Sequence, residues 1–189
     1  MIVRGLVNFL GFQSVWFLSL FGAGTHKSWL GAIALAVFTV WHFRSAANPR
    51  AELVLVAIAC VVGLIVDTTF IQANLLAYAE PLPFAAVAPY WILGMWINFA
   101  LTLNGSMRWL HGRYGLAAVL GAIGGPLAYV AGIKLGAAEL QASEAVVYGV
   151  LAVTWAIAVP VLVRATVWVN TRWPPVAPER HQLRAGAGG

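Results

Sequence analysis

The sequence predicts an all-α membrane protein, a six-transmembrane-helix bundle with both termini cytoplasmic, and three observations carry that prediction. Of 189 residues, 61% are hydrophobic by type and only 9% are charged, against roughly 25% charged in an ordinary soluble domain. The apolar residues fall in six continuous runs separated by short polar breaks, and six spans of ~20 residues would use about two-thirds of the chain. All nine arginines flank these runs on one side of the expected bundle, as the positive-inside rule requires. Helices are needed because lone strands leave backbone groups unpaired in lipid, and continuous runs are not the alternating ~10-residue segments of an outer-membrane barrel. The same composition excludes a soluble enzyme, a disordered chain and a DNA-binding domain.

The first span covers about residues 5–24, and Thr25 to Ser28 is the break. Arg4 before a run ending Phe21-Gly22-Ala23-Gly24 has the outline of a signal peptide, but the run is long and carries Asn8 and Gln13, so the helix is expected to be retained. The second span, 28–43, is short and crosses if Lys27 and Arg44 snorkel to the two surfaces. The third, 53–78, ends before Glu80, Pro81 and Pro83. The fourth is expected over 87–104, the fifth over 115–136 and the sixth over 145–167. Residues 1–169 thus form one transmembrane domain, and the proline- and glycine-rich residues 170–189 read as a disordered cytoplasmic tail.

Arg4, Arg44, Arg50, Arg108, Arg113, Arg164, Arg172, Arg180 and Arg184 mark the cytoplasmic side, while Lys27, Lys134, Glu80, Glu139 and Glu144 lie toward the other. The net charge of +5 is therefore a consequence of topology, and no nucleic-acid partner is expected. Trp41, Trp109, Tyr114, Trp168 and Trp173 fall at the inner boundary, and Trp29, Tyr78, Tyr90, Trp91 and Tyr148 at the outer one, where amphipathic rings favour the headgroup level. Cys60 is alone, so neither an intrachain disulfide nor a multi-cysteine metal site can form.

Asp67 is the outlier, because an acid inside a span is costly and should face the bundle or a wet cavity. At helical spacing it shares a small and polar stripe with Cys60, Gly63 and Asn74. On a 1.5 Å rise, Tyr129 lies ~4–5 Å outside the middle of its span, Asp67 ~7–8 Å and Lys134 ~12 Å. A polar cluster of Asp67 with Tyr129, Lys134 or both, between spans three and five, is expected. A second polar layer on the inner side draws on Asn8, His42, Asn98, Asn104 and Ser106, with His42 turned toward the headgroups. The fifth span carries Gly121, Gly124, Gly125, Gly132 and Gly136 around Pro126. Four-residue glycine spacing admits a closely packed helix, and the proline removes a backbone donor, which kinks or breaks the span. Val7-Asn8-Phe9 is echoed by Ile97-Asn98-Phe99 on spans one and four. The sequence contains no H-E-x-x-H, P-loop or G-x-G-x-x-G motif, so neither a metal site nor a cofactor is expected.

The chain resembles a bacterial multi-pass inner-membrane family defined only as a domain of unknown function. The likeness rests on Asn8 with Gln13 and Trp16, Trp41-His42, Asp67, Pro89 with Trp91, Trp96 to Phe99, Trp109-Leu110, and Gly124-Gly125-Pro126 with Tyr129 and Gly132. It implies an inner-membrane location and supplies no activity. The residues themselves favour a protein that binds or transports a small or lipophilic molecule and is not an enzyme. A membrane-embedded lipid-modifying enzyme and an assembly partner docking through the glycine face remain open beside it.

Overall fold

A computed structural model describes residues 2–174. Among them are six helices: α1 (Ile2–Gly24), α2 (Trp29–Ser45), α3 (Pro49–Gln72), α4 (Tyr90–Leu103), α5 (Tyr114–Lys134) and α6 (Glu144–Arg172). Two short strands, β1 (Leu76–Tyr78) and β2 (Ala138–Leu140), pair antiparallel with Ala77 opposite Glu139. Four of the helices, α1, α3, α5 and α6, are long and apolar enough to cross a membrane. The expected tail lies outside the described residues from position 175 onward.

Contacts between loops define the two ends of the bundle. At one end the Arg4 guanidinium donates to the Ser45 carbonyl and the Asn48 amide to the Trp173 carbonyl. At the other end lie the strand pair and Ser28, whose N–H donates to Glu80 Oε2 at 2.8 Å. Arg4, Arg44, Arg50, Arg108, Arg113 and Arg172 are at or near the first, the arginine end; Lys27, Glu80, Lys134, Glu139 and Glu144 are at the second, the sheet end.

The expected third span is too long by a strand. α3 stops at Gln72 because Asn74 adopts a left-handed φ of 52°. The Leu75 N–H then closes on the Phe70 carbonyl at 2.9 Å and the Asn74 N–H on Ile71 at 3.0 Å, a Schellman end that satisfies two last-turn carbonyls. α5 ends the same way at Gly136 (φ 77°), with Ala137 bonded to Gly132 and Gly136 to Ile133. Both turns send the chain directly into a strand. The fourth helix begins later than expected, at Tyr90, because Pro89 is extended. α6 runs past the expected end, to Arg172. Of the two readings left open at Pro126, a kink or a break, the break does not occur, since α5 is continuous through it.

α3–β1–α4 and α5–β2–α6 share one register. Asp67 and Tyr129 each lie five residues before the last residue of their helix, and Gly63 and Gly125 each lie nine before it. A Cβ on Gly63 would stand 2.3 Å from the Trp96 indole, and one on Gly125 2.3 Å from the Trp155 indole. Glycine is therefore needed at both for a ring to lie against the backbone. The two indoles stack on each other, centroids 4.8 Å apart and planes 9° from parallel.

α4 is buried nearly all round, against α1, α2, α3 and α6. Its 14 residues measure about 21 Å, short of a ~30 Å hydrocarbon core. The Asn8/Asn98 echo corresponds to a reciprocal device. Asn8 of α1 donates to the Leu101 carbonyl of α4 at 3.0 Å, and Asn98 of α4 donates to the Phe12 carbonyl of α1 at 3.1 Å.

Candidate functional site: a lateral cavity beside a buried aspartate

Asp67 is fully buried. Its Oδ1 accepts hydrogen bonds from the Tyr129 hydroxyl at 2.7 Å and from the Tyr78 hydroxyl, and its Oδ2 accepts from the Trp96 indole at 2.6 Å. Three donors aimed at two oxygens suit an ionised carboxylate, which can only accept. Tyr78 reaches back because the α3 end at Asn74 folds β1 over the helix. A carboxylate enclosed in this way touches no solute directly; what it does is fix the two tyrosines and one wall of the adjoining space.

That space is a cavity of about 420 Å³ between α1, α4, α5 and α6, within the range of small-molecule sites. Tyr78, Trp91 and Ala138 close it at the sheet end, and Met107 and Leu110 at the arginine end. Trp96, Phe99 and Trp155 form its back, and Tyr129 shares a wall with Asp67 behind it. The exposed residues of its lining are Gln13 of α1 and Leu120, Gly124 and Leu127 of α5, so it opens sideways between these two helices. Lining residues on α5 run from Leu120 to Gly132, which is ~18 Å of helix. No charged residue is among them.

The fifth-span glycines build this wall. A Cβ on Gly121 would meet the Trp155 carbonyl at 2.1 Å and one on Gly132 would meet Leu20 at 3.5 Å, whereas Gly124 has nothing within 4 Å. The close-packing partner of Gly121 and Gly125 is thus α6 of the same chain.

The inner layer forms a separate network. His42 and Glu52 are buried, 4% and 5% exposed, with Nε2 and Oε2 3.3 Å apart. Glu52 Oε1 accepts from the Asn104 amide at 3.1 Å, and Asn104 Oδ1 accepts from Asn170 at 2.7 Å. Asn8 Oδ1 accepts from both the N–H and the hydroxyl of Ser106, at 2.9 and 2.8 Å. The expectation that His42 faces the headgroups is overturned, because Glu52 holds it inside. Glu52 and Asp67 are both on α3, about 22 Å apart along the helix, so the layers are distinct sites.

The family described as a protein of unknown function (DUF2878) matches residues 5–161. The chain belongs to that family. No curated protein and no solved structure matches the chain. The matched region takes in Asp67, its three donors, the whole cavity lining and the His42–Glu52 pair, and stops before Asn170.

Of the outer cluster expected from sequence, Asp67 and Tyr129 meet. Lys134 and Asn74 do not join them: both are exposed at the sheet end, and the one close approach of a basic to an acidic side chain among the described residues is His42 to Glu52. All five residues of the inner layer reach the arginine half, but Asn98 bonds to α1 alone. Sequence reasoning missed Tyr78, Trp96, Glu52 and Asn170 as partners. Tyr78 reads as an interfacial ring, Glu52 precedes the expected third span and carries no reading, and Asn170 falls beyond the expected sixth span. The available signal was Asn74, a helix-stopping residue.

Proposed function

We propose that this DUF2878 member is a six-span integral protein of the bacterial inner membrane, with both termini cytoplasmic, that binds a lipophilic molecule in its lateral cavity. The observation that carries the binding role is the cavity itself: apolar, closed toward both ends of the bundle and open sideways between α1 and α5. A molecule arriving through that mouth comes from the bilayer. The closed ends favour binding over passage from one face to the other. In favour of six spans stand the alternating helix directions, the 17 residues of α2 and the central position of α4. In favour of cytoplasmic termini stands the arginine end.

Gly124→Trp is the direct test of binding, since a Cβ there meets nothing within 4 Å and the indole beyond it occupies the mouth. Wild type purified in mild detergent is expected to carry a lipid visible by native mass spectrometry, and the variant to lose it; equal loads would refute the reading. Reporter fusions after residues 85 and 174 test the topology, with opposite sidedness expected.

A further inference from the structure

We infer that the occupant is an uncharged lipid of the bilayer midplane carrying a carbonyl or hydroxyl group, and that the side-chain amide of Gln13 receives that group. The inference rests on the proposed binding role and specifies its chemistry.

The position of the mouth is the first observation. Gln13 is the twelfth of the 23 residues of α1, and Gly124 the eleventh of the 21 residues of α5. The cavity therefore opens at the midpoint of both helices, ~15 Å from either interface of a ~30 Å core. A charged headgroup is held at an interface by its hydration and is costly to bring to that depth.

The lining is the second observation. It contains no arginine, lysine or histidine to neutralise a phosphate or carboxylate, and no acid to pair an amine.

Gln13 is the third observation. Nearby, the Asn8 amide N–H donates to the Leu101 carbonyl while its oxygen accepts from Ser106, and the Ser14 hydroxyl donates to the Leu10 carbonyl, but Gln13 is exposed and has no hydrogen-bond partner among the described residues. An amide facing hydrocarbon without a partner is unfavourable, and its side chain is too short to reach either interface. A carbonyl accepting from the amide N–H, or a hydroxyl donating to the amide oxygen, satisfies it. The apolar body then extends along the aromatic back formed by Trp96, Phe99 and Trp155.

Photoaffinity labelling of the full chain in phosphatidylethanolamine/phosphatidylglycerol nanodiscs tests this with three diazirine probes: farnesol, a hydrocarbon of the same chain length, and phosphatidylglycerol. Farnesol is expected to label α1 and α5 peptides at the mouth. Gln13→Leu should lower that labelling about tenfold, the effect of one hydrogen bond lost in an apolar site, down to the level of the hydrocarbon. Gln13→Asn, which keeps the amide, should retain part of it and guards against a folding artefact. Labelling by phosphatidylglycerol equal to that by farnesol would overturn the uncharged class while leaving the cavity a lipid site. Unchanged farnesol labelling in Gln13→Leu would overturn the role of Gln13. If no probe labels wild type above Gly124→Trp, the binding reading falls and the inference with it.

Discussion

Removing the Tyr129 hydroxyl should cost most stability while Asp67 is a carboxylate. In the native chain the Tyr129 O–H donates to Asp67 Oδ1 at 2.7 Å, beside Tyr78 on the same oxygen and Trp96 on the other. A hydrogen bond to a charged group contributes about 1.5–3 kcal/mol, and pairwise bonds inside membranes have measured ~0.6 and at most ~1.7 kcal/mol. Tyr129→Phe should therefore destabilise by about 1.5 kcal/mol. Asp67→Asn changes the acceptor count. With its oxygen toward Trp96, its amide N–H groups meet the phenol oxygens, and the phenol protons lose their carboxylate acceptor, leaving Tyr78 only the Tyr129 oxygen at 3.4 Å. In that background Tyr129→Phe should cost about 0.5 kcal/mol or less, because the removed hydroxyl no longer makes a charge-assisted bond. The coupling energy is then about 1–1.5 kcal/mol. Steric-trapping measurements of unfolding free energy in bicelles, on wild type, both single variants and the double variant, would give it. Additivity within ~0.5 kcal/mol would refute the view that the aspartate serves to hold the tyrosines.

Three further outcomes follow from the same geometry. Gly125→Ala places a Cβ 2.3 Å from the Trp155 ring and should lose about 1–3 kcal/mol, whereas Gly124→Ala meets nothing within 4 Å and should stay within ~0.5 kcal/mol; thermal melts of the two separate the roles of adjacent glycines. His42→Ala leaves Glu52 Oε2 buried without the imidazole 3.3 Å away, while Oε1 keeps Asn104, and should destabilise by about 1–3 kcal/mol, with the double variant His42→Leu/Glu52→Leu recovering most of the loss; no recovery would mean that the pair is not coupled. Asn74→Gly should be neutral or stabilising at a φ of 52°, while Asn74→Val should cost about 1–2 kcal/mol, read as a change in melting temperature.

Helix existence was legible because each span is a long apolar run, and helix ends were legible where a charge or proline cluster interrupts it. The end of α3 was not, since Leu75 to Tyr78 continue the apolar pattern; only the left-handed Asn74 separates helix from strand. The value of Asp67 as an anomaly was visible from its surroundings, and so was one partner, Tyr129, by depth. Trp96 was not, because depth along a span says nothing about which helices are neighbours. Glu52 was invisible for a related reason: a charge at a span boundary is ordinary until a histidine on another helix is found against it.

By itself, then, the sequence determined long apolar helices of membrane-spanning character and the separation of the arginines from the two lysines, because apolar runs and the charges that flank them are local features of the chain. Tertiary structure decided the rest. It turned the glycines of α5 inward onto α6, made the short α4 the centre of the bundle, enclosed Asp67 behind three donors and left the cavity open between α1 and α5. Inside a bilayer the hydrophobic effect does not choose between helix neighbours, because lipid tails are as apolar as the side chains. Close packing and hydrogen bonds choose, and they act between residues far apart in the chain.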